Sequence, residues 1–290
     1  MSDHPHDGLL LVAHGSKSAA GTAEAIATGE QVAAAHPALA VELGFLELAD
    51  PPAGQMLDRL VDRGCTRIVV QPLILLAAGH GKSDVPAVAL EGRDRHPHVE
   101  IVFGSPLGVV PELLAIGASN IEQAGAKGLP LLVVARGTSD PDANAEAMRA
   151  ARLLAEWTQT DFVDVGFTGM TWPTVPEALE RMRRLGHERI GLFFWFLCTG
   201  KLIERARDQV AASGLDVVDA GYFGPSPALV PIIDQRRREA LDGLPRVNCD
   251  TCSYRAPWPG MEDRVAQGVG VGHSHLAVEH RHGGHDHHHH

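Results

Sequence analysis

The apolar positions of this chain fall into short unbroken runs separated by longer stretches of helical period. In the first half the runs 9–13, 41–45, 67–75 and 99–103 are of strand length, and they alternate with helical stretches at 19–36, 52–64, 85–96 and 111–126. The second half keeps the order, with strand-like runs at 131–135, 162–167, 190–196 and 217–220 and helical stretches at 141–157, 175–185, 200–213 and 228–241. Strands that are apolar throughout and joined by helical crossovers predict parallel sheets covered on both faces, hence two doubly wound α/β domains. Ligands of such domains sit beyond the carboxyl ends of the strands, so the residues there are the ones to examine.

The second half is a copy of the first. Residues 10–25 read LLVAHGSKSAAGTAEA and residues 132–147 read LVVARGTSDPDANAEA, which pairs Ala13 with Ala135, Gly15 with Gly137 and Glu24 with Glu146 at a spacing of 122. The same spacing pairs Gly44 with Gly166, Gly64 with Gly186 and Arg67 with Arg189. One domain is therefore expected at 8–127 and its duplicate at 128–244, and 290 residues suffice for each to bury its own core. From about residue 245 the periodicity stops, and a Cys-x-x-Cys and a His-rich stretch follow in a tail, 245–290, expected to be mostly disordered.

A formal net charge of −11 with no basic stripe argues against nucleic acid as a partner. No run is apolar enough to span a bilayer, and the opening MSDHPHDG has neither the basic nor the apolar region of a signal peptide, so a cytoplasmic protein without membrane contact is expected. Of four cysteines, Cys65 and Cys198 lie in apolar context, whereas Cys249 and Cys252 form a pair better suited to metal or redox chemistry than to a disulfide framework.

The duplication is informative where it fails. His14 ends the first strand of the first copy, and its counterpart in the second is Arg136. His80 follows the third strand in LILLAAGHGKSDVP, and Lys201 falls at or beside the same place in the second copy. Both histidines are expected to project from one sheet edge, within reach of one ligand; taken singly, His14 would also suit a helix cap and His80 a solvated loop. Glu47, just after the second strand in GFLELADPP, joins the same rim, where Gly169 is its counterpart. One asymmetric site is predicted, with imidazoles from the first domain and cations from the second.

VAHGS after the first strand, GFLELADP after the second and GHGKSDVP after the third, in that order, resemble the sirohydrochlorin chelatases of the CbiX type over roughly residues 8–244. The long form of that family is itself an internal duplication, and the related class II chelatases share the fold and a cleft between two halves. The resemblance implies a lyase of cobalamin or siroheme (porphyrin) biosynthesis that inserts Co(II) or Fe(II) into the tetrapyrrole sirohydrochlorin; the two histidines would also accept Ni(II), and the His-rich tail favours Co(II). The resemblance also implies that His14 and His80 handle the metal. A duplicated chain already builds the two-sided cleft that a single-copy relative would make by dimerising.

The residue types suit that chemistry. Neutral imidazole binds borderline first-row ions and accepts protons, and two pyrrole protons must leave as the metal enters. Glu47 is a candidate third ligand or proton acceptor. The eight carboxylates of sirohydrochlorin call for cations and helix N-termini, for which Arg136, Lys201, Lys17 and Lys82 are candidates, with Ser16 and Ser139 as caps or carboxylate donors. In the tail, His273, His275, His280, His282 and His285 are expected to hold further ions. Long members of the family often carry such a tail, associated with an iron-sulfur centre and cobalt storage; two thiolates alone do not complete a four-cysteine cluster, so a zinc site or a free thiol pair at Cys249 and Cys252 stays open. Of the rival classes, a histidine phosphatase would need Arg where Ala13 stands, and HGSKSAAG lacks the spacing of a dinucleotide-binding turn. A non-catalytic cobalt or nickel storage protein or metallochaperone is the alternative that the tail supports.

Overall fold

The computed structural model describes residues 6–244, apart from the side chain of His80; the expectations for the tail, including Cys249, Cys252 and the tail histidines, lie outside the described residues. The first repeat runs β1 (Asp7–Ala13), α1 (Ala19–Ala35), β2 (Ala40–Phe45), α2 (Ala53–Asp62), β3 (Arg67–Pro72), α3 (Val85–Arg95), β4 (Glu100–Phe103) and α4 (Pro111–Gln123). The second runs β5 (Leu131–Ala135), α5 (Pro141–Thr158), β6 (Val163–Phe167), α6 (Val175–Arg184), β7 (Arg189–Phe194), α7 (Lys201–Ala211), β8 (Asp216–Asp219) and α8 (Val230–Leu241). Each repeat forms a four-stranded parallel sheet, in the orders β2-β1-β3-β4 and β6-β5-β7-β8. The registers match across the copies, since Val12 lies opposite Gly44 and Pro72 as Val134 lies opposite Gly166 and Phe194.

The patterning predicted this α/β architecture with parallel sheets; the strand order, with β1 and β3 central in one sheet and β5 and β7 in the other, comes from the structure. The patterning did not anticipate how the halves share a core. The outer face of the first sheet packs against α2 and α3 through Leu57, Leu60, Val85 and Val88, and the outer face of the second packs against α6 and α7 through Leu179, Met182 and Ile203. Between the sheets lies a single cluster drawn from both repeats, including Leu9 and Leu11 of β1, Leu131 and Val133 of β5, and Ile232 and Ile233 of α8.

The last helix of each repeat crosses over. Helix α4 lies on the second sheet, where a Cβ at Gly117 would stand 3.2 Å from Leu154 and 3.4 Å from Phe193. Helix α8 lies on the first sheet beside α1, held there by Arg236, whose guanidinium donates to the Leu107 carbonyl at 3.0 and 3.2 Å. The expectation that each half buries its own core is therefore corrected. The apolar faces of α4 and α8 complete the opposite sheet, and neither repeat closes its inner face alone.

The third strand of each repeat is also shorter than its apolar run. Pairing ends at Pro72 and at Phe194, while Leu73–Leu76 and Trp195–Leu197 remain apolar because they line the cleft between the repeats.

Candidate active site

The carboxyl ends of β1, β3, β5 and β7 face one another across a cleft with two chambers. The first, about 490 Å3, is lined by residues 73–84 after β3 and 135–147 after β5. The second, about 390 Å3, is lined by residues 13–25 after β1 and 196–203 after β7. The chambers are thus the two images of one pocket under the duplication. They meet at His14 and Arg136, which line both.

The β1 turn is built around Gly15. Its φ of +95° is open to glycine, and a Cβ there would stand 1.7 Å from the Glu47 carbonyl oxygen. That close approach lets the Glu47 N–H donate to the His14 carbonyl at 3.1 Å, so the two residues rise side by side from the rim. Gly137 repeats the device, with a φ of +73° and the Gly169 carbonyl 2.3 Å from where its Cβ would be. The scaffold is common to both copies, whereas the His14–Glu47 pair stands in the first alone.

His14 Nε2 lies 3.3 Å from Glu47 Oε1, and His14 Nδ1 lies 3.2 Å from the Gly15 carbonyl oxygen. In the tautomer in which Nδ1–H donates to that carbonyl, Nε2 presents a lone pair to a carboxylate oxygen, an arrangement completed by a proton or a cation between them. Ligand nitrogen and oxygen atoms bound at about 2.0–2.2 Å to one first-row ion are commonly spaced by such a distance. Among the described residues no cluster of three His, Cys, Asp or Glu side chains is placed to hold a metal ion, and His14 and Glu47 stand as a pair. His80 opens a π-helical turn, His80–Asp84, on the wall of the first chamber; its side chain lies outside the described residues.

Arg136 is exposed and, among the described residues, has no acidic partner; its backbone is anchored by Thr168, whose hydroxyl donates to the Arg136 carbonyl at 2.9 Å. Lys201 begins α7 at the edge of the second chamber and is exposed. Ser16 Oγ accepts from the Ser18 N–H at 3.0 Å, and it is Ser18 that caps α1. Leu48 and Met170, equivalent residues with φ of 62° and 64°, form an apolar lip on each chamber, and Met170 is 78% exposed.

The expectation for Lys82 is corrected. Its side chain is 2% exposed and its ammonium lies 2.9 Å from Asp140 Oδ2 and 3.0 Å from Asp142 Oδ2, so it is already neutralised and is not a rim cation for substrate carboxylates. Burial draws its pKa down, but the hydrogen bonds and charges of the two aspartates outweigh this and leave it above the ordinary lysine value. The sequence reading missed both aspartates. The available signal was the same asymmetry that exposed His14, because Asp140 and Asp142 stand where the first repeat has Ser18 and Ala20.

A second cross-repeat contact borders the other chamber. Glu24 of α1 accepts from the Thr199 N–H and from the Tyr222 hydroxyl, both at 2.6 Å. Gly21 permits this, since a Cβ there would lie 2.5 Å from the Thr199 carbonyl oxygen. Cys198, beside them, is pushed up to about 12 by burial and secondarily by the Glu24 charge, which keeps it a protonated, unreactive thiol.

The chain matches known proteins along most of its described length. The CbiX family model covers residues 8–124 and 130–240. The sirohydrochlorin cobaltochelatase of Priestia megaterium is 37% identical over 267 residues, 88% of this chain and 87% of the relative. The sirohydrochlorin ferrochelatase of the same organism is 28% identical over 241 residues, 81% of this chain and 91% of the relative. Among solved structures, SirB from Bacillus subtilis with Fe3+ superposes with a TM-score of 0.71 at 29% identity, over 82% of this chain and 96% of that one.

Proposed function

Because the chain belongs to the CbiX family, we propose that it is a sirohydrochlorin chelatase, which exchanges the two pyrrole protons of sirohydrochlorin for one divalent metal ion, with Co(II) preferred over Fe(II) or Ni(II). The observation that carries this reading is the one-sided pair of His14 and Glu47, 3.3 Å apart, at the junction of two chambers whose opposite wall offers Arg136. Residues 8–127 supply the metal-handling groups and residues 128–244 the substrate wall. The macrocycle enters the cleft with its carboxylates toward Arg136 and Lys201 and toward the N-terminus of α1 beside Ser16. His14, Glu47 and His80 hold the incoming ion from one face. As each metal–pyrrole bond forms, a pyrrole N–H proton passes to an imidazole or carboxylate released from the ion, and then to water. Affinity for the free ion stays moderate, because a closed ligand set would not release it.

The preference for cobalt is supported by the greater identity to a cobaltochelatase than to a ferrochelatase, 37% against 28%. Competition between Co(II), Fe(II) and Ni(II) under anaerobic conditions tests it. Faster incorporation of Fe(II) than Co(II) at equal concentration would reverse the assignment. A non-catalytic cobalt or nickel store draws on the tail alone, and no described residue favours it.

The substrate wall makes a separate prediction. Arg136→Ala raises the KM for sirohydrochlorin by about tenfold, the value of one charge-assisted contact, and leaves the dependence on metal concentration unchanged. Steady-state kinetics with each substrate varied in turn measures both. An unchanged sirohydrochlorin KM with weakened metal dependence would overturn this division of labour.

A further inference from the structure

The turn that carries His80 is tied to the opposite repeat by one buried ammonium. Lys82, two residues further along the His80–Asp84 turn, donates a 3.0 Å hydrogen bond to Asp142 Oδ2 and sits 2.9 Å from Asp140 Oδ2, and the three side chains are 2%, 6% and 2% exposed. Asp140 is held from its other side, because its Oδ1 accepts from the Asp142 N–H at 3.1 Å and so caps α5. Helix α5 in turn follows the Arg136–Gly137 turn. A single charge therefore links the backbone beside His80 to the wall that bears Arg136.

Such an arrangement is costly as mere glue. Removing an ammonium and two carboxylates from water is repaid only by close geometry, and apolar residues would join the same surfaces at no such cost. What an ion set of this kind supplies is a fixed position. The same turn is braced locally, with the Lys82 N–H donating to the Ala78 carbonyl at 2.9 Å and Ser83 Oγ 2.8 Å from the Gly79 carbonyl oxygen. At the other chamber the equivalent tie is made by Glu24 with Thr199 and Tyr222, and contains no buried cation.

We propose that Lys82 is a positioning residue for metal capture, which fixes the backbone of the turn that includes His80 by clamping it to Asp140 and Asp142 of the opposite repeat. The proposal rests on His80 as a metal ligand. It places Lys82 away from the substrate carboxylates and makes its effect appear in the handling of the ion.

Full-length wild-type protein is compared with Lys82→Met, with the charge-swapped pair Lys82→Asp and Asp142→Lys, and with His80→Ala. Insertion is measured with Co(II) and sirohydrochlorin varied separately, and thermal unfolding is recorded for each protein. Lys82→Met is expected to raise the half-saturating Co(II) concentration about tenfold or more, the usual cost of losing support behind a metal ligand, with the sirohydrochlorin KM unchanged. The charge-swapped pair is expected to recover most of that loss. Visible absorption of bound Co(II), taken as a difference against His14→Ala to remove ions held elsewhere, should shift in Lys82→Met toward the spectrum of His80→Ala.

A raised sirohydrochlorin KM with unchanged metal dependence would make Lys82 a substrate contact and overturn the proposal. A lowered melting temperature with both dependences intact would reduce it to a stabilising pair, again against the proposal. If Lys82→Met does not fold, the charge-swapped protein decides, and a folded swap with metal dependence as poor as that of His80→Ala counts against positioning through the clamp. A His80→Ala protein with wild-type metal dependence would remove the underlying assignment of His80, and this inference with it, while leaving His14 and Glu47 in place.

Discussion

The His14→Ala protein is expected to insert metal at least about 10²-fold more slowly than the wild type, the loss that follows when a positioned proton acceptor is removed, and to remain folded. His14 is at the end of β1 and its side chain is 23% exposed toward the cleft, so truncation opens a space that water fills and costs little core packing. The carboxylate of Glu47 then stands without its imidazole neighbour. His80→Ala should fall by a similar factor, and Glu47→Gln by less, since it keeps an oxygen donor and loses the charge. Insertion rates at saturating metal, with circular dichroism to verify folding, measure the effect. Near-normal turnover in His14→Ala would remove the residue from the chemistry.

Gly15→Ala is expected to be the most damaging change that touches no ligand. The left-handed backbone at this position alone costs an alanine about 1–3 kcal/mol, and the new methyl group meets the Glu47 carbonyl oxygen at 1.7 Å, a contact that backbone must move to relieve. Stability and activity should fall together, because the displaced segment is the one that carries Glu47 to His14. Gly137→Ala provides the control. It suffers the same kind of strain against the Gly169 carbonyl, yet Gly169 stands on that loop where Glu47 stands in the first repeat. Denaturant unfolding should show similar destabilisation of the two variants, whereas insertion by the folded fraction should drop far more for Gly15→Ala. Equal loss of insertion in both would mean that the β1 turn acts through global stability.

These contrasts show what a duplicated sequence discloses. The strands and crossovers were legible because fully buried parallel strands leave unbroken apolar runs, and β5 matches its predicted bounds. Residues 73–75 and 195–196 read as strand for the same reason, although they are apolar because they line a cleft. His14 and Arg136 were legible as a difference between copies. Glu47 was less so, since a loop carboxylate next to a strand end carries no pattern of its own, and its meaning comes from Gly15 drawing it within 3.3 Å of His14.

The crossing of α4 and α8 was not legible at all. Periodicity says which side of a helix is apolar and is silent on which sheet that side meets. Lys82 was misread for a related reason: its partners Asp140 and Asp142 lie about 60 residues away in the other repeat, beyond any local pattern. A lysine on a strand-to-helix turn has the same appearance whether it faces solvent or a buried aspartate pair.

The most direct test is multiple turnover. Purified full-length protein at a concentration well below that of sirohydrochlorin and Co(II) is followed by the absorbance change on metal insertion, against the same mixture without protein and against His14→Ala. The account predicts many equivalents of metallated product per chain, at a rate proportional to protein and lost in His14→Ala. Product limited to the spontaneous rate, with Co(II) retained on the protein, would contradict it and make the chain a metal store.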